Sequence, residues 1–507
     1  MALQQREKLM KSSDANPAYW SATKQMEALR RRGISAVELL DRAVQHIERF
    51  DGRINAVVVR DFERARAAAR TADDLLKSGD HRPLLGIPMT VKESFNVAGL
   101  PTTWGFPEAR DFVPAEDAVA VQRLKAAGAI IIGKTNVPAA ISDWQSFNAI
   151  YGTTNNPWDV SRSPGGSSGG SAAALAAGFV PLEIGSDLRG SLRVPAHYCG
   201  VYGHKPTHGI VPLRGHVPPG AEAVSIKPDL AVAGPLARCA ADLGLVMEVL
   251  AGPDDDEGAG FNLDLPAARH GGLQDFRVLV VTEHPLIPTS TETGDALNRM
   301  ADQLTRAGAN VSGESTLLPD LEQTASTYTK LFFSFAAAHW PAEVYDRFKM
   351  KVTATSANID EPETRRARAA VLSHRDWILA DQTRASLRKR WQDLFRAFDV
   401  VLCPTMPTPA FAHDQLPDHG ARCILVDGTE MLYEDQDPWL TIASLSDLPS
   451  TVAPIARSKA GLPIGMQIIG PYLGDRTTIA FAALIEREFG GFSPPPVVNH
   501  QGLSSEA

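Results

Sequence analysis

Ser163-Pro-Gly-Gly-Ser-Ser-Gly-Gly-Ser171 places four glycines and four serines in nine residues. Glycine adopts backbone angles closed to other residues, so this run can turn tightly. It opens onto Ser171 to Ala177, whose small residues predict a helix ended by Gly178. Phe179 to Ile184 then reads as a strand, and a second turn follows, Ser186-Asp-Leu-Arg-Gly-Ser-Leu-Arg193. Toward the N-terminus, Asp117 to Ala127 predicts a helix stopped by Gly128. Ala129-Ile-Ile-Ile132 predicts a buried strand, and Ile87 to Val91 a shorter one. Toward the C-terminus, strand patterns return at Val400-Val-Leu-Cys403, Thr451 to Ile455 and Gly465 to Ile469, before a helix from about Thr477 to Glu488. This alternation predicts an α/β layer fold with a largely buried sheet.

The flanks differ in character. Residues 1–80 read as a helical arm packed on the body. Ser35 and Glu38 form a capping box ahead of Leu39, Leu40, Ala43, Val44, Ile47 and Phe50, which share one helical face. The body is expected over 81–490. Within it, about 320–397 is a charged helical insertion carrying Phe332, Phe333, Phe335, Trp340, Tyr345 and Phe348. It is either an ordinary amphipathic insertion or a funnel over the site. Residues 491–507 read as a loose tail.

The 507 residues are 44% hydrophobic and 21% charged, a globular composition. The formal net charge of −9 argues against nucleic acid or an anionic membrane as partner. Cys199, Cys239, Cys403 and Cys423 form no CxxC pair, so buried reduced thiols are expected, with no metal site. Met1 to Trp20 lacks an apolar h-region and no run is long and apolar enough to span a bilayer, so a cytoplasmic location is expected.

The chemistry centres on three short runs. The glycine-rich stretch admits three readings: a plain loop, an anion-binding helix N-terminus, or a nucleophile elbow matching G-x-S-x-G over Gly165 to Gly169. It lacks the Walker lysine. An elbow must follow a buried strand, and Asn155 to Pro164 is polar and broken by proline. Upstream, Gly86-Ile-Pro-Met-Thr-Val-Lys-Glu-Ser94 isolates Lys92 among Ile87, Met89, Val91 and Phe95. A serine hydroxyl needs a base beside it, and a lysine serves only when neutral, which burial promotes. In a strand, Glu93 would point away from Lys92. Around Ser191, a turn could aim consecutive backbone N–H groups at one point, as an oxyanion hole requires. Each feature alone has an ordinary structural explanation.

Together the three runs resemble the amidase signature family, whose members hydrolyse C–N bonds. The separation of the two serines, 191 − 167 = 24, equals the family spacing. Gly133-Lys-Thr-Asn136, Gly152 to Asp159, Val194-Pro-Ala196, Gly203-His-Lys-Pro-Thr207, Cys403-Pro-Thr405 and Gly461 to Gly470 are also similar, so the likeness runs from about residue 20 to 490. The resemblance implies an amidase signature fold: a large mixed β-sheet covered by helices on both faces. It implies Lys92 as base, Ser167 as a bridge joined through a cis peptide, and Ser191 as nucleophile. It places an oxyanion hole at the backbone of Leu188, Arg189, Gly190 and Ser191. Ser168, Ser186 and Asp187 would support the turn. Ile141 and Trp144 would line the substrate pocket, with Tyr433 and Trp439 reaching the funnel unless they are core. No metal or organic cofactor is called for, and the partner is a small-molecule amide or carbamate. A homodimer is common among such enzymes.

Two positions depart from the family pattern. Arg189 stands where a first glycine is usual, and would narrow the pocket, meet a polar substrate group or point to solvent. Glu93 replaces a commoner aspartate. Competing activities are an ester or urethane hydrolase using the same residues, a glutaminase-type component of an amidotransferase complex, and a silent binding protein of this fold.

Overall fold

A computed structural model describes residues 16–225, 227–356, 358–359 and 361–496. The expected tail beyond residue 496 and the polar stretch before residue 16 lie outside the described residues.

The capping box forms as the sequence predicts. Ser35 Oγ accepts from the Glu38 N–H (3.1 Å), and Glu38 Oε2 accepts from the Ser35 N–H (2.8 Å). This satisfies two donors that a helix start leaves unpaired. The helix Ala36–Ile54 buries Leu39, Leu40, Val44, Ile47 and Ile54, and ends where Asn55 turns left-handed at φ 58°. One apolar cluster runs from Ala22 and Leu40 through Ile87, Val91, Leu182 and Ile184 to Phe481, so these N-terminal helices share their core with the sheet. Full burial of each such large aliphatic or aromatic side chain contributes about 1.5–3 kcal/mol.

The sheet has eleven strands. Third from one edge, Pro88–Lys92 runs parallel to both Ile130–Thr135 and Leu182–Asp187. Every residue of these three strands is buried, as expected where helices cover both faces. Leu182–Asp187 pairs antiparallel with Val232–Ala237, which leads through Tyr202–Lys205, Ser450–Arg457 and Pro463–Ile469 to Val400–Pro404. The sheet is therefore mixed. Its far edge is Arg277–Val280 and Asn310–Ser312, both short parallel additions.

Several boundaries move relative to the sequence reading, two of them beside the serine turns. The strand expected at Phe179 to Ile184 spans Leu182–Asp187. Pro181 has no N–H to donate, so the ladder starts after it, and the strand ends at the residue that opens the second turn. The helix expected from Ser171 begins at Gly169. Gly165 is required at the turn before it: φ is 86°, and a Cβ would lie 2.8 Å from Pro195 Cα.

Between Asn310–Ser312 and Val400–Pro404 come the helices Leu321–Ala337, Ala342–Ala354, Pro362–Ala370 and His374–Ala397. Tyr328, Leu331, Ala380 and Leu387 pack against Leu230 and Leu445 and dock this group on the body. Ala342–Ala354 buries none of its residues. No helix among the described residues is long and apolar enough to cross a membrane. The four cysteines are free, and Cys199 and Cys403 are buried, but Cys423 is exposed on the hairpin strand Cys423–Val426, against the expectation of buried thiols throughout.

Candidate active site

Lys92 is the last residue of its strand and is fully buried. Its Nζ lies 2.7 Å from Ser167 Oγ and 2.9 Å from Ser186 Oγ. Burial pushes the ammonium down to about 7, while the charge of Asp187 works in the opposite direction. A neutral amine is thus accessible near neutral pH. Strand alternation sends Glu93 the other way. Its carboxylate accepts from the Thr103 N–H (2.5 Å), Thr103 Oγ1 (2.8 Å) and the Trp104 N–H (3.0 Å).

Ser167 sits at the tip of the glycine-rich turn, and the Gly166–Ser167 peptide is cis. The turn is tied down by its own polar groups. Gly165 N–H donates to Ser163 Oγ (3.0 Å) and Gly169 N–H to Ser146 Oγ (3.1 Å). Ser168 N–H donates to the Ser191 carbonyl (3.2 Å) and Ser168 Oγ to the Ser186 carbonyl (3.3 Å). These last two bonds stitch the first serine turn to the second.

The second turn is organised by Asp187. Its carboxylate accepts from the N–H groups of Gly190 (2.8 Å), Leu192 (3.1 Å) and Arg193 (3.4 Å). It also pairs with the buried Arg193 guanidinium through two contacts of 3.0 Å. Burial works to raise the Asp187 carboxyl, but Arg193 and these hydrogen bonds hold it below its ordinary value. The expected oxyanion hole is thereby narrowed. The Gly190 N–H is taken by Asp187, whereas the N–H groups of Leu188, Arg189 and Ser191 have no acceptor among the described hydrogen bonds.

The Arg189 side chain neither points to solvent nor offers a free cation to the pocket. It is 17% exposed, with Nε 2.5 Å from Asp437 Oδ2 and Nη1 2.7 Å from Glu434 Oε2. The guanidinium also lies 4.4 Å from the Trp144 ring centroid and 5.3 Å from that of Phe332.

Ser167, Ser186, Asp187, Leu188, Arg189 and Ser191 all line one cavity of about 390 Å³. Ile141, Trp144 and Tyr433 line it too. Trp439 does not: it is fully buried with Trp391 and Phe395 in a separate cluster, and its Nε1 donates to Thr289 Oγ1 (3.0 Å). The core alternative therefore holds for that tryptophan. The sequence reading missed Trp104, Phe106 and His216, which complete the wall. The Trp104 and His216 rings meet at a tilt of 42°, with centroids 5.3 Å apart. Burial and the nearby Lys92 push the His216 imidazole down to about 3, so it is neutral. The insertion contributes Phe332 and Phe335 from the helix Leu321–Ala337 and Trp340 from the turn after it, so this helix borders the cavity. A run of aromatics at 332–340 was the only sequence signal for this. Among the described residues, no cluster of three or more His, Cys, Asp or Glu is placed to hold a metal ion.

A family model described as Amidase matches residues 38–479. The chain is 34% identical over 481 residues to a glutamyl-tRNA(Gln) amidotransferase subunit of Roseiflexus sp. (strain RS-1), covering 91% of this chain and 94% of that one. It is 32% identical over 478 residues to a protein of Mycobacterium bovis named as an amidase, AmiB2, covering 92% and 96%. A solved amidase structure superimposes with a TM-score of 0.72 at 29% identity, covering 93% of this chain and all of the other.

Proposed function

The chain belongs to the amidase signature family, and from that premise we propose that it hydrolyses neutral aryl or alkyl amides through an acyl-enzyme on Ser191. The observation that carries this reading is the 2.7 Å contact of a buried Lys92 Nζ, pushed down to about 7, with Ser167 Oγ. Neutral Lys92 takes the Ser167 proton as Ser167 takes that of Ser191, and Ser191 Oγ bonds to the amide carbon. The oxyanion is received by the free N–H groups of Leu188, Arg189 and Ser191, a contribution of a few kcal/mol per donor. The proton returns along the same chain to the departing amine, and the C–N bond breaks. Water, deprotonated by the same relay, then cleaves the ester and frees Ser191.

The substrate class rests on the walls. Trp104, Phe106, Trp144, Phe332, Phe335 and Trp340 give the cavity flat apolar faces. Its charged lining groups are already compensated. Asp143 pairs with Arg422 (2.6 Å), Asp187 with Arg193, and Arg189 with Glu434 and Asp437. A charged substrate would lose its water without gaining an unpaired partner, which is costly.

A second reading comes from the amidotransferase relative: glutamine as ammonia donor within a complex. The compensated charges weigh against a zwitterionic amino acid, and so favour the hydrolase. Hydrolysis of p-nitroanilides, aliphatic amides, urethanes, esters and glutamine, with Ser191→Ala as control, tests both. The proposal expects neutral amides to be turned over by the wild type alone. Preference for glutamine would install the second reading, and turnover surviving in Ser191→Ala would move the nucleophile elsewhere.

A further inference from the structure

We propose that the Arg189 side chain is a positioning residue that fastens the oxyanion turn at Leu188–Ser191 to the segment Tyr433–Asp437 and to the insertion helix Leu321–Ala337. This inference rests on the hydrolase reading above. The turn takes its positive φ at Gly190 (87°), and Arg189 is not among the positive-φ residues, so position 189 carries a side chain without strain. The guanidinium spends its donors in three directions: Asp437 Oδ2, Glu434 Oε2 and the Glu434 carbonyl (2.8 Å). Both carboxylate side chains are only 16% exposed, which strengthens the pairs relative to surface ones. Its flat face meets Trp144, and Phe332 and Phe333 on the insertion helix lie 5.3 Å and 5.9 Å away. A planar cation can stack and bind carboxylates at once, which lysine cannot do.

The backbone on either side of this side chain is gripped by the same two elements. Trp144 Nε1 donates to the Arg189 carbonyl (2.8 Å), and Tyr328 Oη of the insertion helix donates to the Leu188 carbonyl (2.9 Å). The insertion helix therefore holds the Leu188–Arg189 peptide unit, whose Arg189 N–H would meet the oxyanion, and the cavity wall holds the next unit, Arg189–Gly190, whose N–H is fixed by Asp187. Arg189 is the tie that joins those holders to each other and to residues 434 and 437. Alignment of the donors then depends on the docking of the insertion helix, and substrate-wall residues and catalytic turn move as one unit.

The test compares wild type, Arg189→Ala, Arg189→Lys and Glu434→Gln on a neutral aryl amide, with Ser191→Ala as blank. The readouts are kcat, KM, the inhibition constant of an aryl boronic acid that adds to the serine, that of the aryl amine product, and Tm. Trp144 and Tyr328 still hold the backbone in Arg189→Ala, so a folded variant is expected. A displaced donor set should lower its kcat and weaken the boronic acid by about 10²-fold each. KM and amine binding should stay within roughly threefold, because they do not use the oxyanion. Arg189→Lys and Glu434→Gln should fall between the two. An Arg189→Ala enzyme with wild-type kcat overturns the proposal. So does one that loses kcat, amine binding and Tm together, which is the signature of a merely structural residue. A wild type that turns over no more amide than Ser191→Ala overturns the hydrolase reading and this inference with it.

Discussion

Two helices of this molecule stand at opposite extremes of burial. All eight residues of Gly169–Ala176, behind Ser167, are buried; none of Ala342–Ala354, in the insertion, is. The first is built of glycine, serine, alanine and one leucine, so it packs closely and holds the serine turns with little freedom left. The second displays Tyr345 at 36% and Met350 at 64% exposure on a helix whose stability comes from few contacts. The difference teaches that the floor of the cavity and its cover answer to different physics. Buried backbone hydrogen bonds and short side chains hold the two serine turns together. The cover is shaped by Phe332 and Phe335 on the docked helix Leu321–Ala337, and Ala342–Ala354 follows outside the cavity wall.

That contrast can be broken by mutation. The largest effect is expected on the floor: Ser191→Ala and Lys92→Ala should each lower kcat by about 10⁴-fold or more, and the double variant should be little worse than either, because the groups act as one unit. Steady-state kinetics on the three proteins checks this, and additive losses would separate Lys92 from the nucleophile. A middle effect is expected at the cover. Phe335→Ala should raise KM for a bulky aryl amide by about tenfold, the value of a lost apolar contact of about 1–3 kcal/mol, with kcat nearly unchanged. A kcat loss of equal size would mean that the cover also aligns the reaction. The smallest effect is expected at Met350→Lys, where exposure should keep the change in stability within about 0.5 kcal/mol by denaturant unfolding. A larger loss would show that Ala342–Ala354 is covered in solution.

The sequence made the floor legible because its physics is local. Glycines at 165, 166, 169 and 170, an isolated lysine in an apolar strand and a serine after Gly190 are each demanded by turns or burial, and they leave marks within nine residues. Six strands of the sheet followed from apolar runs in the same way, but Val57–Arg60, Tyr202–Lys205, Val232–Ala237, Arg277–Val280 and Asn310–Ser312 did not, being short or interrupted by glycine, proline or charge. The walls were harder. Trp144 and Trp439 look alike in the sequence, yet one donates to the Arg189 carbonyl, two residues before Ser191, and the other to Thr289 in the core. Arg189 was visible as an anomaly, but its partner Glu434 lies 245 residues away, and nothing near position 189 announces it. His216 was invisible for the same reason: its neighbours Phe95 and Trp104 come from another part of the chain.

The central claim is that Lys92 is neutral at working pH and serves as the base. Its most direct test is the single-turnover acylation rate of Ser191 by an aryl ester, followed from about pH 5 to 9 in wild type and in Lys92→Ala. Because the lysine is held down to about 7 by burial, protonation below that value removes the base. The wild-type rate should therefore fall about tenfold per pH unit on the acid side of an inflection near 7, and the much slower Lys92→Ala rate should show no such inflection. An inflection that persists unchanged in Lys92→Ala would assign the titrating group elsewhere and contradict the account.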